Sequence, residues 1–457
     1  MIVAGKRYLA LILWGSMFLA GCQPLEKAAV PPFRALRPSP TKPVAASTIT
    51  AVPAPTRTPT PEPVPPQDTP DALATPTQDA AALAWQARSG AGSSTWGTED
   101  EQPLQNLARA EGAVLLYSDT PRASNAAESF AEAYPGLNSE AYALSGLDIY
   151  LRLQEDLQRG QPLADVYLVS DGPRTLPLFA ARRLWSYLPT VITSAPAEAP
   201  SGQVTSPASA PPVTHHWSAV VVMFNGSLAK SPPVDNWWDL TLPEWRGRVV
   251  LPDPLDHERT LYLLATLTQH AEELAQAYRA ESGRELTLDA DCPNAGYQWI
   301  KDLLRNEPVL APGDAEVARR VGALQAQKLE LGLCGMEQLA RVRRGDIALA
   351  PLAGLAPAAG LRWRTYLGIA DRAPHPNAAK LLVRWLLGDA QGGQGYAPWY
   401  EPGYYPARSD VADPPGSLPR QELEPRLWEL DAAYLADHLQ AVREQVASYL
   451  GRPLGGR

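Results

Sequence analysis

Cysteine is scarce in this chain: there are three in 457 residues, and no two stand in C-x-x-C spacing. Dithiol redox chemistry of the usual motif is thereby excluded. Positive charge is also in deficit, with 40 Lys and Arg against 49 Asp and Glu and a formal net charge of −9. Recognition of a phosphate backbone depends on clustered Lys and Arg, so no nucleic-acid surface is expected. The G-x-S-x-G, H-E-x-x-H and P-loop motifs are missing, which removes the common signatures of α/β-hydrolases, zincins and NTPases. The six histidines are scattered, with His215-His216 beside a Pro/Ser stretch and His375 in "HPN", and none has metal-ligand spacing. Beyond the first 22 residues no stretch reaches the roughly 20 apolar residues of a membrane-spanning helix.

What is present is a hydrophobic content of 45%, enough for a large core, and 47 prolines, about twice the usual share. The length suits two or three domains. The start reads as an address: Lys6 and Arg7 precede the apolar run "YLALILWGSMFLA", which ends in "LAGC". A basic n-region, a short apolar h-region and small residues make a secretory signal. The "LAGC" ending resembles the lipobox of bacterial lipoproteins. It implies a leader over 1–21, acylation of Cys22 and an extracytoplasmic chain anchored to the membrane by lipid. Lipidation of Cys22 leaves Cys292 and Cys334 as a pair in an oxidising compartment. The pair is read as a disulfide closing a loop of about 40 residues, worth on the order of 3–4 kcal/mol. Two buried free thiols are the alternative.

Residues 22–100 are Pro/Thr/Ala-rich, as in "PAPTRTPTPEPVPPQDTPDALATPT", and lack apolar periodicity. Such a segment buries too little surface to offset its ordering entropy and is expected to be a disordered tether. A second low-complexity stretch over 193–213, "TSAPAEAPSGQVTSPASAPPV", is expected to be a surface loop. From about residue 101 strands and helices alternate. "AVLLYS" precedes a helix capped by Thr120 with Pro121 at its first position. "SGLDIYLRLQEDLQRG" opens on a capping serine, Ser145, and ends on glycine; "ADVYLVS" leads through Asp171-Gly172-Pro173 into another helix. This rhythm predicts an α/β fold with a mostly parallel sheet. Ligands of such sheets sit beyond the carboxyl ends of the strands. The candidate ligand-binding residues there are Ser118, Asp119, Thr120, Ser145, Gly146, Ser170 and Asp171.

A second group holds "SAVVVMFN" and "RVVLPD". The latter runs into a helix expected from Pro254, with Asp253 as its N-cap and Asp256 as its N3 acid. The stretch "LPDPLDHERT" crowds Asp253, Asp256, His257, Glu258 and Arg259 together, a density that on its own suggests catalysis. Its setting, a strand end running into a helix from Pro254, makes it a ligand-facing helix start instead. Asp253, Asp256, His257, Arg259 and Thr260 therefore join the candidate site, and no catalytic residue is assigned.

Seven features, in order, resemble the extracytoplasmic solute-binding proteins of ABC importers, in the two-lobed type II group that includes iron(III), polyamine and thiamine carriers. They are "GAVLLYSDT", "FAEAYPGL", "QPLADVYLVSDG", "FNGSLA" ahead of "NWWDLTLPEWRGRVVLPDP", "RRGDIALA", "APHPNAAKLLVRWLL" and "GYYPARSDV", running from about Glu111 to Asp413. The resemblance implies the type II periplasmic-binding-protein fold, with lobe 1 over 101–216 and 361–457 and lobe 2 over 217–360. Crossing strands are expected near Trp217–Val222 and Gly360–Thr365, with the ligand gripped between the lobes. It further implies a monomeric carrier without a cofactor that passes a small solute to an ABC permease. In this family Trp237-Trp238 fall in a stretch that packs the second lobe. Family members carry small residues over "DHER", and of that pattern only Thr260 survives.

The iron carriers have adjacent tyrosines just after the segment matching "GDIALAP". Here "LAGLAPAAG" stands there without an oxygen or nitrogen side chain, and Tyr404-Tyr405 belong to a later segment. One carboxylate, Asp171, does not make a metal site, so no metal is assigned and iron is disfavoured. Asp119, Asp171 and Asp253 at helix starts would repel a bare anion. That tilts the solute toward a cationic or polar organic molecule, with Tyr117 available for cation–π contact. Arg122, Arg174 and Arg259 lie close enough in sequence to neutralise these acids, and each Asp has a plain alternative role as a helix cap. Two other functions stay open: a ligand-sensing lipoprotein that partners a sensor kinase, and a secreted hydrolase with dispersed catalytic groups.

Overall fold

The computed structural model describes residues 80–93, 95–189, 211–389 and 391–453. The leader, Cys22, the linker as far as 79 and most of the stretch 193–213 lie outside the described residues. Among the described residues no helix is long and apolar enough to cross a membrane.

The first lobe begins with α1 (Ala80–Ser89) and α2 (Glu101–Glu111), then β1 (Ala113–Ser118), α3 (Arg122–Ala133), β2 (Asn138–Ala143) and α4 (Gly146–Arg159). It continues through β3 (Val166–Val169), α5 (Gly172–Ala180) and β4 (Leu184–Trp185). β1 pairs in parallel with both β2 and β3, as helical crossovers require. Two of the helices start where the caps predict. Ser145 Oγ accepts from Asp148 N at 3.0 Å to open α4, and Asp171 Oδ1 accepts from Arg174 N at 3.3 Å to open α5.

β5 (Val213–Asn225) carries the chain into the second lobe, which holds β6 (Val249–Pro252), α6 (Glu258–Gln269), α7 (Ala271–Ser282) and α8 (Ala295–Arg305). β7 (Val309–Ala311), α9 (Asp314–Val321), β8 (Leu331–Gly335), α10 (Leu339–Arg343) and β9 (Leu349–Pro351) follow. β10 (Gly360–Ala370) returns to the first lobe, where α11 (Pro376–Leu387), α12 (Gly393–Tyr396) and β11 (Tyr405–Pro406) lie. The chain closes with α13 (Arg420–Leu423), β12 (Leu427–Trp428) and α14 (Ala432–Tyr449).

One sheet runs β2-β1-β3-β10-β5-β8-β6-β7, with β4 and β12 on β10 and with β9 and β11 on β5. The two crossing strands are antiparallel neighbours at its centre, in register from Gly360↔Val221 to Leu367↔Val213 with a bulge at Thr365/Tyr366. β5 is buried along its whole length. Val220, Val222 and Phe224 enter one core of the second lobe, while Trp217, Ala219, Val221 and Met223 enter another on the opposite face. Burial on both faces explains why "SAVVVMFN" reads as a continuous apolar run. Trp237 and Trp238 are core residues of the second lobe, their indole N–H groups donating to Ala358 O and Leu274 O, each at 2.8 Å.

Three expectations are corrected here. The linker does not extend to residue 100, because α1 and the turns after it pack on the first lobe. Trp85 and Trp96 are buried, and their indole N–H groups donate to Ala373 O at 2.9 Å and Ser186 O at 2.7 Å. The tail does not belong wholly to lobe 1: Trp428, Leu435, Val442, Val446 and Ala447 sit in the core of the second lobe. The bridge Cys292–Cys334 is not made; both thiols are free and buried. Cys334 lies on β8 in the core that holds Met223, with its Sγ 3.9 Å from Met223 Sδ. Cys292 lies in the other core, 3.3 Å from Tyr449 Oη. Residues packed into different cores cannot meet the short Cβ separation that a disulfide demands.

Candidate functional site

At the end of β1, Ser118 is fully buried, and its Oγ accepts from Thr120 N at 3.3 Å. Thr120 Oγ1 in turn accepts from Arg122 N at 3.3 Å, but α3 begins at Arg122 with Pro121 at the N-cap, one residue later than a Thr120 cap would start it. Asp119 reaches across to the end of β3, where its Oδ2 accepts from Ser170 N at 2.7 Å and Ser170 Oγ at 2.6 Å. Burial pushes its carboxyl up, against the two hydrogen bonds from Ser170 and the charge of Arg259, while Asp171 adds to the rise. Asp171 is buried at the start of α5 and binds the side chain of Arg174. Burial pushes Asp171 up as well, with Arg174 opposing. Gly146 lies against Asp171, where a Cβ would stand 3.3 Å from the Asp171 Cβ. Ser145 is exposed, with its hydroxyl committed to Asp148 of its own helix.

The second lobe meets these loops with α6, α9 and the turn after β8. Arg259 Nη1 donates to Asp314 Oδ2 at 3.0 Å and to Glu337 Oε1 at 2.6 Å, and its guanidinium carbon lies 5.1 Å from the centre of the Trp363 ring. Ser218 of β5 donates to Glu337 Oε2 at 3.1 Å. Burial works against charge on Glu337, but Arg259 and Ser218 prevail and hold it below the usual carboxylate range. Burial pushes Asp314 up to about 6; Arg259 opposes this and Glu337 adds to it. His257 Nδ1 sits 3.0 Å from Thr260 Oγ1. Burial, then Arg259, pulls the imidazole down to about 4, so it is neutral at pH 7. Thr260 is buried.

Two residues of the expected site turn elsewhere. α6 starts at Glu258 with His257 as its N-cap residue, not at Pro254. Residues 253–257 form a turn in which Asp253 O accepts from Asp256 N at 3.1 Å and His257 N at 2.8 Å. Asp253 therefore caps no helix; its Oδ1 accepts from Leu255 N at 3.0 Å and its Oδ2 binds Arg452 near the end of the chain. Asp256 is exposed and lies 3.7 Å from Arg452. Tyr405 is stacked on Trp217 with ring centres 4.2 Å apart, and Tyr404 lies under Arg122. Among the described residues no group of three or more His, Cys, Asp and Glu is placed to hold a metal ion.

The site gains Tyr262, Asp314, Glu337 and Trp363, which local patterns did not flag, and Glu258, which the charge density of its stretch showed but which was not assigned to the site. Arg174 joins the lobes: its Nη1 donates to Glu258 Oε2 at 2.6 Å and its Nη2 to Glu258 Oε1, while it also holds Asp171. The helical pattern of "ERTLY" does place Glu258 and Tyr262 on one face at i and i+4, a signal that becomes usable once the helix start is known. An open cavity of about 850 Å³ is lined by another set, among them Glu101, Tyr134, Arg384, Trp385 and Arg408. There Arg384 and Arg408 are bound to Glu99 O and Gly388 O, so their donors are already engaged.

Two α/β lobes joined by paired crossing strands, with charged side chains of both lobes meeting between them, define the two-lobed solute-binding fold. Solved structures place the chain within that fold. Iron-bound HitA from Pseudomonas aeruginosa superposes with a TM-score of 0.54 at 17% identity, over 73% of this chain and 99% of that one. Apo ferric ion-binding protein A from Pasteurella haemolytica gives 0.51 at 15% identity, over 76% and 100% of the two chains. An ABC transporter substrate-binding protein from Bradyrhizobium japonicum gives 0.51 at 14% identity, over 74% and 99%. No sequence-family model matches the chain, and no curated protein matches it in sequence. At these identities the likeness is one of fold.

Proposed function

We propose that this chain is the substrate-binding lipoprotein of an ABC importer, capturing a small cationic or polar organic solute between its lobes and presenting it to a membrane permease. Cys22 would carry the lipid, and the Pro/Thr-rich segment would hold a monomeric carrier off the membrane surface. The fold supports the carrier role, because ligand contacts from both lobes bias such a molecule toward closure. The observation that carries the choice of solute is the charge between the lobes. Asp119, Asp171, Glu258, Asp314 and Glu337 converge there against Arg174 and Arg259. An excess of carboxylates repels anions and favours cations in a partly desolvated cleft. The test is a panel of cationic, neutral and anionic small solutes read by thermal shift, since tight binding to the native state raises Tm. Stabilisation confined to anionic solutes would sink the charge argument, and a panel without any hit would sink the carrier role.

A further inference from the structure

We propose that the interlobe site recognises a planar guanidinium or amidinium cation, and that Arg174 is the occupant the chain itself supplies. This deepens the carrier reading and rests on it. Arg174 rises from α5, and its guanidinium takes a carboxylate from each lobe: Asp171 at its own helix start and Glu258 in the first turn of α6. Both oxygens of Glu258 are engaged, by Nη1 at 2.6 Å and by Nη2, the two-pronged pairing that suits a flat, forked cation. One turn further along α6, Tyr262 Oη lies 3.3 Å from Nη1 and 3.5 Å from Asp171 Oδ1. The Tyr262 ring stacks on Trp363 with centres 6.0 Å apart. Two lobes closing on one group that each partly ligates is what a carrier does with its solute. Here that group is a side chain.

The same chemistry recurs beside it. Arg259 lies over the Trp363 ring of this aromatic pair and takes two carboxylates, Asp314 and Glu337. Asp314 Oδ1 is buried there without a hydrogen-bond partner. The aromatic rings favour any organic cation, but paired carboxylate oxygens match the forked N–H donors of a planar guanidinium or amidinium, which a compact ammonium does not offer. A solute of this class competes with Arg174 for Asp171, Glu258 and Tyr262, so it enters by displacement.

Arg174→Ala removes the occupant. Methylguanidine is expected to raise the Tm of that variant, with the rise setting in at a concentration at least about tenfold lower than for the unaltered protein. Tetramethylammonium at equal ionic strength has no N–H to give the carboxylates and is expected to shift the Tm of the variant no more than that of the unaltered protein. Small-angle scattering without added solute reads the second half of the proposal: Arg174→Ala should have a larger radius of gyration, and methylguanidine should restore it. Glu258→Gln, at the rim of α6, should expand in the same way and decides the matter alone if Arg174→Ala does not fold. An unchanged radius in Glu258→Gln overturns the proposal, as does a folded Arg174→Ala that binds methylguanidine no better than the unaltered protein. None of these readings needs the natural solute. A solute panel that fails on the unaltered protein counts against the carrier role and leaves them standing.

Discussion

Arg259 and Glu337 meet at 2.6 Å in a space that exists because residue 335 is glycine. A Cβ at Gly335 would collide with both the Glu337 carboxylate and the Arg259 guanidinium. Gly335→Ala is therefore expected to push the pair apart and cost about 1–3 kcal/mol in urea unfolding. Glu337→Ala should cost more, about 3–5 kcal/mol, because it leaves Arg259 in a buried site with a weaker partner. A Glu337→Ala loss below that of Gly335→Ala would show that the pair contributes little.

Asp314 and His257 give opposite pH signatures from one cluster. Asp314 is raised to about 6, so the native state binds more protons than the unfolded chain between the ordinary carboxylate pKa and 6. Stability therefore falls as pH rises through that window. His257 and His215 are each lowered to about 4 by burial, so stability rises with pH between about 4 and the ordinary imidazole value. Asp314→Asn removes only the falling branch. Relative to the unaltered protein, the variant should gain stability as pH climbs from about 4 to 6 and level off above it, as measured by denaturant midpoints at several pH values. A relative loss over the same climb would mean that Asp314 is a net stabilising anion.

Helix starts that depend on their own neighbours were legible in the sequence. Ser145 and Asp171 cap α4 and α5, with the signal contained in four residues. The second lobe's helix was misplaced by one turn because "DPLDHE" satisfies its amides within a turn, and because Asp253 is claimed by Arg452 from the far end of the chain. No local pattern carries a contact of that sequence separation. Asp314 and Glu337 were missed for the same reason, and Glu258 was seen only as part of a charged stretch: they acquire meaning when α6, α9 and the turn after β8 converge on Arg174 and Arg259. Trp85 and Trp96 were a usable signal, since two tryptophans are out of place in a solvated tether and both prove to be core.

The free cysteines give a direct count. Burial pushes both thiols up, which slows their reaction with alkylating reagents in the native state. Without any reductant, denaturation should release two reactive thiols from protein lacking Cys22, and a reductant should leave Tm unchanged. A count of zero would restore the Cys292–Cys334 bridge.

The tail offers a test of which lobe it serves. Leu435, Val442 and Val446 of α14 are buried with residues of α6 and α8, not with α2 and α11 of the first lobe. Arg443 donates to Leu255 O at 2.9 Å, and Arg452, just past the end of the helix, binds Asp253, so α14 and the residues after it hold the turn that leads into α6. Val442→Ala should cost about 2 kcal/mol through the cavity it leaves. Its effect should be local: hydrogen exchange should accelerate in α6 and α8 while α11 keeps its protection. Arg452→Ala should loosen the turn at 253–257 with a smaller loss, because that contact is half-exposed. Accelerated exchange centred on α11 and α2 would return the tail to the first lobe and would remove the link between the chain's end and the site.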